Sequence, residues 1–192
     1  LTGLLKPEGG TIEICGLNVL NDGFAIRRKI CYIPDEPYLY ERLSGREFLD
    51  FVGRLHELPS AVVKERVARL AKEFGTSDYI DEPSGAYSHG MKQRVVVMAG
   101  LLHNPQVIIL DEPMVGLDPR LIRSFKTILR ERTKDGATVF MSTHNLADAE
   151  EMADRVGIIH RGALIAEGSP KEISSANGNG KLEEVFLNMT EE

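Results

Sequence analysis

The feature that most constrains the fold is an unbroken apolar run, Val107–Leu110, followed at once by Asp111–Pro113. A short run of β-branched and aliphatic residues without polar alternation is typical of a strand that is buried on both faces. Sheets that contain such strands are parallel, are covered by helices, and bind ligands beyond the carboxyl ends of their strands. The run therefore predicts an α/β protein whose functional acids lie where this strand ends.

Other strand and helix signals alternate along the chain, which favours a parallel α/β sheet. Short β-rich segments predict strands at Thr11–Cys15, Ile30–Pro34 and Thr138–Ser142, and a hairpin formed by Val156–His160 and Ala163–Glu167. Helical spacing and cap signals predict helices at Ser44–Leu55, Ser60–Phe74, Ser88–Leu102, from Asp118 onward, and near Leu146–Ala153.

The order of these signals suggests one domain with an inserted lobe. We interpret 1–35 and 103–168 as the core, residues 36–102 as a helical lobe, and 169–192 as a polar tail. The tail contains a stretch, Ser174–Gly180, that we expect to be flexible. At the other end, Leu1–Leu5 is apolar and is interpreted as the last part of a helix.

Composition limits the classes of function. The formal net charge of -6 argues weakly against DNA or RNA as the main ligand, because a duplex binder usually presents a basic face. The two cysteines, Cys15 and Cys31, form no Cys-x-x-Cys motif, so a reducing compartment is the simpler expectation. The longest strongly apolar stretch, Val95–Leu102, is far shorter than the roughly 20 residues that span a bilayer.

Two acidic residues follow the apolar run directly. Asp111 is placed to hold a magnesium ion, usually through water, because Mg²⁺ keeps several waters and takes few carboxylates. Glu112 is placed to accept a proton from an attacking water, or to orient that water. A strand that ends in a solvated acidic turn is the alternative interpretation of the same residues.

A histidine lies at the end of the next predicted strand, in the segment Ser142-Thr143-His144. Neutral imidazole can accept a hydrogen bond from water or donate one to a phosphate oxygen. A lone histidine after a strand more often has no special role. Its position after the Asp-Glu strand is what favours a functional one.

Two helix starts carry further signals. Tyr87–Arg94 opens a helix that Ser88 can cap, where Gly90 lets a ligand approach the backbone and the first amides attract a phosphate. Basic residues in this first turn oppose the helix dipole, which an anion or an acidic partner there would explain. An ordinary capped helix is the alternative. Gly116–Pro119 is predicted to be a turn followed by a helix cap. Any functional role of this segment would be in addition to that structural one.

Four segments, in this order, resemble the signature, Walker B, D-loop and H-loop motifs of ATP-binding cassette (ABC) ATPases: Tyr87–Arg94, Leu110–Pro113, Gly116–Pro119 and Ser142–His144. Each motif is modest by itself, but the ordered set is very specific, and the resemblance covers essentially the whole chain. The Gly-Met-Lys-Gln-Arg version of the signature is similar to that of export-type ABC systems. The resemblance implies a P-loop NTPase-like parallel sheet with an inserted helical signature lobe.

The resemblance also implies how the residues act. Two ATPase domains would pair head to tail around two ATP molecules, with Asp111 serving Mg²⁺, Glu112 the attacking water and His144 the γ-phosphate. Ser88 and Gly90 would reach the ATP held by the partner domain. Asp118 would lie at the domain interface, and the helical lobe would contact an integral membrane permease subunit. The protein would then sit at the cytoplasmic face of a membrane, and no nucleic acid would be bound.

The sequence departs from the family pattern in three places. It contains no Gly-x-x-x-x-Gly-Lys-Ser/Thr phosphate loop (Walker A), and it begins with Leu1 rather than Met. We therefore expect a fragment of an ATPase domain that lacks the first strands, and we expect this fragment to be inactive alone. Asp35 replaces the glutamine of the Q-loop; a carboxylate can still ligate Mg²⁺, and a Pro-flanked acidic turn is the alternative. His89 replaces a signature glycine, and either donates to phosphate or points into solvent.

Two alternative functions stay open at this point. The first is a non-transport ABC ATPase that acts in nucleic-acid maintenance or translation. Long coiled-coil arms or a second cassette would mark that class, and this sequence has neither. The second is a naturally truncated, non-catalytic regulatory subunit, an interpretation weakened by the presence of both Asp111 and Glu112.

Overall fold

The computed structural model describes residues 1–176 and 180–190. The chain divides into two compact units, Leu1–Ser142 and Thr143–Glu192. Each unit has its own apolar core, and each is described separately below.

A three-stranded parallel sheet forms the centre of the first unit, and its strands are β3 (Ile30–Ile33), β4 (Val107–Asp111) and β5 (Thr138–Ser142). The strand β4 lies in the middle, because it pairs with β3 on one side and with β5 on the other. Ile108, Ile109 and Leu110 are buried, as the apolar run predicts. A separate short antiparallel pair, β1 (Glu13–Ile14) and β2 (Leu17–Asn18), precedes the sheet.

Five α-helices complete the first unit: α1 (Gly23–Arg27), α2 (Gly45–Leu55), α3 (Ser60–Glu73), α4 (His89–Leu101) and α5 (Pro119–Lys134). A 3₁₀ turn at Ser84–Ala86 precedes α4. The helix α2 begins at a capping box, in which the Ser44 hydroxyl accepts from the amide of Glu47 and the Glu47 carboxylate accepts from the amide of Ser44. The helix α5 begins as the Asp-Pro pair predicts, with Asp118 at the cap and Pro119 at the first position.

Among its described residues, 143–176 and 180–190, the second unit contains an antiparallel hairpin and three helices. Its elements are α6 (Leu146–Met152), β6 (Val156–His160), β7 (Ala163–Gly168), α7 (Pro170–Ala176) and α8 (Leu182–Thr190). The hairpin register shifts between Ile158 and Ile159. Its small core consists of buried Ala149, Ile158, Ile173, Leu182 and Val185.

Three sequence predictions need correction. Leu1–Leu5 is not helical, because five exposed or half-exposed residues have no packed face that would repay the cost of starting a helix. The strand predicted at Thr11–Cys15 shortens to β1, because Cys15 adopts a φ of 53° and turns the chain. Within the stretch expected to be flexible, Ser174–Ala176 belong to α7, whose apolar face carries the buried Ile173; Asn177–Asn179 lie outside the described residues.

No helix in the described ranges is both long enough and apolar enough to cross a membrane.

Candidate active site

The carboxylate of Asp111 ends the central strand and receives hydrogen bonds from both neighbouring strands. The Ser142 hydroxyl on β5 donates to Oδ1 at 2.6 Å, and the Tyr32 hydroxyl on β3 donates to Oδ2 at 3.3 Å. Sheet register explains both contacts, since Asp111 pairs with Ser142 and Tyr32 pairs with Ile109, which lies on the same face as Asp111. Asp111 is thus oriented by side chains from two strands.

Tyr32 also lies near the acidic turn that follows β3. Burial raises the pKa of the Tyr32 hydroxyl, and the negative charges of Asp111 and, to a smaller extent, Asp35 raise it further. The hydroxyl therefore stays protonated, and remains a donor, at neutral pH. Asp35 itself is exposed, two residues beyond the end of β3.

Glu112 has an unusual backbone conformation. Its φ is 44°, in the left-handed region that non-glycine residues rarely adopt. Its amide donates to the Ser142 carbonyl at 3.1 Å, and its carbonyl accepts from the amide of Val115 at 3.2 Å. These bonds hold the turn at the strand end, where a strained residue is a reason to suspect a functional role.

The start of α4 has the predicted cap. The Ser88 hydroxyl accepts from the amide of Met91 at 3.3 Å, and Ser88 and His89 are exposed. A methyl group built on Gly90 would meet nothing closer than the Gly116 carbonyl at 3.5 Å, which is an ordinary contact. The fold of this chain does not require glycine at position 90.

The D-loop residues contact the start of this same helix. Gly116, with a φ of 74°, lies so close to His89 that an added methyl group would come within 2.7 Å of the imidazole ring. Asp118 accepts from the amides of Arg120 at 3.0 Å and Leu121 at 3.1 Å, and its other oxygen accepts from Arg94 at 3.0 Å. These bonds, first of all the one from the Leu121 amide, lower the pKa of the Asp118 carboxyl. Asp118 is thus engaged within its own chain.

His144 belongs to the second unit, where it is exposed and directly precedes Asn145, the cap of α6. The Asn145 side chain accepts from the amide of Asp148 at 3.2 Å, so this short helix has a defined start. The structure therefore gathers the predicted residues of the first unit into two groups. One surrounds Asp111 and the other joins the start of α4 to Gly116 and Asp118.

The residues at the end of β4 fit a magnesium ion of the kind that binds with a nucleotide. Within 1–176 and 180–190 there is no group of three or more His, Cys, Asp or Glu side chains that could enclose a metal. Asp111 offers hard carboxylate oxygens, each with lone pairs left after accepting one hydrogen bond. A single carboxylate suits Mg²⁺, which usually takes its remaining ligands from water and phosphate.

Sequence reasoning missed Tyr32, Ser142, Arg94 and the contact between His89 and Gly116. The contact of Ser142 with Asp111 could have been predicted, because the two residues lie at the same end of the sheet once their strands are paired in parallel. The other contacts have no signal in the sequence.

A buried parallel strand that ends at Asp111, and a helix start capped by Ser88, are features typical of nucleotide-binding α/β proteins. The comparisons with known proteins are more specific. The sequence profile of the ABC transporter family matches residues 1–115, and the chain belongs to this family. The ABC-type transporter ATP-binding protein EcsA of Bacillus subtilis is 35% identical across 100% of this chain and 78% of its own length.

Other similar proteins also belong to ABC transporters or carry ATP-binding names. The daunorubicin resistance ATP-binding protein DrrA3 of Streptomyces coeruleorubidus is 34% identical over 97% of this chain, which spans 59% of that protein. ABC transporter A family member 7 of Arabidopsis thaliana is 37% identical over 93% of the chain, which spans only 19% of that protein. A solved structure of an ATP-binding subunit of an ABC transporter superposes with a TM-score of 0.92 at 33% identity, covering 98% of this chain and 79% of that one.

Proposed function

We propose that this chain is the ATP-binding part of an ABC transporter, in which ATP binding and hydrolysis drive a substrate through a separate membrane subunit. The observation that carries the proposal is the end of β4. There, Asp111 is held by hydroxyl groups from both neighbouring strands, and the next residue, Glu112, has a φ of 44°. Strained residues beside an oriented carboxylate at the carboxyl end of a parallel sheet are typical of a catalytic site.

The roles follow from the chemistry of each group. Asp111 would hold Mg²⁺, which when bound neutralises charge on the β- and γ-phosphates. Asp35, whose charge acts on the Tyr32 hydroxyl, would be a second acidic residue near that metal. Glu112 would accept a proton from the attacking water or orient it. His144 would contact the γ-phosphate through its imidazole.

A second ATPase domain would complete each site. Ser88 and Gly90 lie at the start of α4, where backbone amides attract anions. Gly90 is the second residue of α4 and has room for a methyl group within its own chain, so the fold gives no reason for glycine there. A phosphate of the partner domain's ATP would approach the backbone closely at this position. Asp118, through Arg94, would keep the D-loop in register with this helix start.

The lobe offers a surface for the membrane subunit. Tyr38, Tyr40 and Phe51 form an exposed aromatic surface in which Tyr40 lies edge-on to the other two rings, at centroid distances of 5.7 Å and 6.0 Å. Exposed aromatic clusters are enriched in protein interfaces. Docking of this surface on a permease subunit would place the protein at the cytoplasmic face of a membrane.

Hydrolysis also requires a phosphate-binding loop with its lysine, and none of the 192 residues forms that motif. We propose that another segment supplies it, so the catalytic test uses the complete protein, including that loop.

The decisive experiment is Glu112→Gln in the complete protein. Removal of the proton acceptor is expected to lower kcat by about 10²–10⁴-fold while ATP-dependent dimers still form. The matched control is Glu65→Gln, since Glu65 is an exposed glutamate on α3, to which no role is assigned. Hydrolysis is measured by phosphate release and dimers by size-exclusion chromatography. Normal turnover in Glu112→Gln would remove Glu112 from its assigned role.

A further inference from the structure

We propose that Tyr32 and Ser142 are positioning residues that fix the Asp111 carboxylate in the orientation in which it binds the magnesium ion of Mg²⁺·ATP. This inference rests on the proposed function, and it assigns a role in metal binding to two side chains outside the acidic motif. Its basis is the pair of hydrogen bonds from the Ser142 and Tyr32 hydroxyls to the two Asp111 oxygens, at 2.6 Å and 3.3 Å.

The direction of the Ser142 bond follows from its geometry. The Ser142 hydroxyl has one proton and two possible acceptors, the Asp111 carboxylate at 2.6 Å and the Leu110 carbonyl at 3.3 Å. The shorter contact is in the range of a hydroxyl that donates to an ionised carboxylate. The proton therefore points to Asp111, and Ser142 orients that side chain rather than the backbone of β4.

The two donors restrict the carboxylate from opposite sides. An aspartate at a strand end can rotate about two side-chain bonds, and this freedom must be lost when a metal binds. Here, β3 and β5 each direct one hydroxyl at a different oxygen of Asp111, so the rotation is restricted before binding. Residues that orient a metal ligand in this way typically contribute about 10–100-fold to metal affinity or activity.

Neither hydroxyl is needed for the core. Tyr32 is 40% exposed, and no bond to its hydroxyl is found in the described residues other than that with Asp111. Ser142 is exposed as well. The hydroxyls can therefore be removed by Tyr32→Phe and Ser142→Ala with the sheet left intact. The matched control is Ser124→Ala, which removes the hydroxyl of an exposed serine on α5.

Metal affinity is the primary measurement. In the complete protein, Mn²⁺ replaces Mg²⁺, and electron paramagnetic resonance measures its dissociation constant in the presence of ATP. Tyr32→Phe and Ser142→Ala are each expected to weaken Mn²⁺ binding by about tenfold. Ser142→Thr, which keeps the hydroxyl, and the Ser124→Ala control are expected to bind Mn²⁺ as the wild type does.

The catalytic parameters separate positioning from a general structural effect. The Mg²⁺ concentration for half-maximal hydrolysis should rise by about tenfold in Tyr32→Phe. At saturating Mg²⁺, kcat and the KM for ATP should stay within about twofold of the wild type. A loss of kcat that saturating Mg²⁺ does not restore would overturn the positioning role.

A double-mutant cycle without metal or nucleotide tests the contact itself. Urea unfolding of the complete protein compares Tyr32→Phe, Asp111→Ala and the double variant. If the hydroxyl acts through Asp111, Tyr32→Phe lowers the urea midpoint in the wild-type background and leaves it unchanged in the Asp111→Ala background. Equal shifts in both backgrounds would overturn the inference.

The outcomes also distinguish the two proposals. If the wild type binds Mn²⁺ with ATP and the variants bind it equally well, the positioning role is wrong and the proposed function stands. If the complete wild-type protein neither binds Mn²⁺ with ATP nor hydrolyses ATP, the proposed function fails and this inference fails with it.

Discussion

At the scale of single residues, two glycines differ in whether the backbone conformation accounts for them. Gly116 has a φ of 74°, so its backbone conformation favours glycine whatever else binds there. Gly90 is helical and has room for a side chain, so its conformation gives no reason for glycine. The two residues lie side by side, with the Gly116 carbonyl 3.5 Å from the place of a methyl group on Gly90.

The first prediction concerns Gly90→Ala. Alanine is the better helix former, and Gly90 lies in the first turn, so the free energy of unfolding should be unchanged or slightly higher. The methyl group would nevertheless stand where a phosphate of the partner's ATP is proposed to approach. ATP-dependent dimer formation by the complete protein should therefore be lost. Urea unfolding measures stability, and size-exclusion chromatography measures dimers.

Gly116→Ala is the matched comparison. The positive φ should cost about 1 kcal/mol of stability, while the exposed His89 ring can move away from the new methyl group. If Gly90→Ala lowers stability as much as Gly116→Ala does, then Gly90 is a requirement of the fold and its assignment to nucleotide binding loses its support.

At the scale of secondary-structure elements, one buried tyrosine joins the start of α2 to the segment that leads into α4. The Tyr87 hydroxyl accepts from the amide of Gly45 at 3.1 Å and lies 2.8 Å from the Tyr79 carbonyl and 3.0 Å from that of Glu82. Tyr87 is only 6% exposed. One side chain, which precedes α4, therefore links the start of α2 to the segment that contains Tyr79 and Glu82.

The second prediction is that Tyr87→Phe lowers the free energy of unfolding by about 1–3 kcal/mol, because the buried Gly45 amide loses its acceptor. Tyr38→Phe, at a tyrosine that is 72% exposed, is the control and should change stability by less than about 0.5 kcal/mol. Chemical unfolding measures both variants, and equal stability of the two would contradict the hydrogen-bond network around Tyr87.

A histidine pair connects two other helix ends. The rings of His56, which ends α2, and His103, which follows α4, stack with centroids 3.7 Å apart and planes 9° apart. His103 Nε2 lies 2.9 Å from the Ile30 carbonyl, so it carries the proton and donates. Burial, followed by the charges of neighbouring groups, lowers the pKa of His103 to about 4, and burial with Arg28 lowers that of His56.

The third prediction is a loss of stability in mild acid. Because the folded state disfavours protonation of His103, the unfolded state takes up the proton first, near its ordinary pKa of about 6.5. The stabilisation is therefore complete above about pH 6.5 and decreases as the pH falls toward 4. His103→Phe keeps an aromatic ring and removes the titration. In urea unfolding between pH 7 and pH 4, the free energy of unfolding of this variant should depend less on pH than that of the wild type. The same pH dependence in both proteins would contradict the role given to His103.

At the scale of the whole molecule, the 192 residues contain the Walker B strand and the signature helix but no phosphate loop. The fourth prediction is that this chain alone binds ATP weakly and hydrolyses none measurably, because it has neither the backbone cradle nor the lysine that bind the phosphates. Isothermal titration with ATP and phosphate release measure the two properties, with the complete protein as the positive control. Robust turnover by the isolated chain would contradict this prediction.

Most elements could be predicted from local sequence. The strand β4 was marked by its apolar run, α5 by Asp118-Pro119, and α2 by its helical spacing after Ser44, because these signals depend on residues only a few positions apart. The helices of the tail were missed, since α7 and α8 are short and partly polar. They are held by buried Ile173, Leu182 and Val185, whose packing partners are distant in sequence.

The sequence by itself determined that a buried strand leads into Asp111 and Glu112 and that Ser88 begins a helix, because periodicity and capping are local properties of the chain. Only the tertiary structure decided which side chains surround them. Tyr32 and Ser142 reach Asp111 through the pairing of three strands, and Arg94 reaches Asp118 through the contact of two helix starts. Such contacts join residues 24 to 79 positions apart, a distance over which no local pattern specifies a partner.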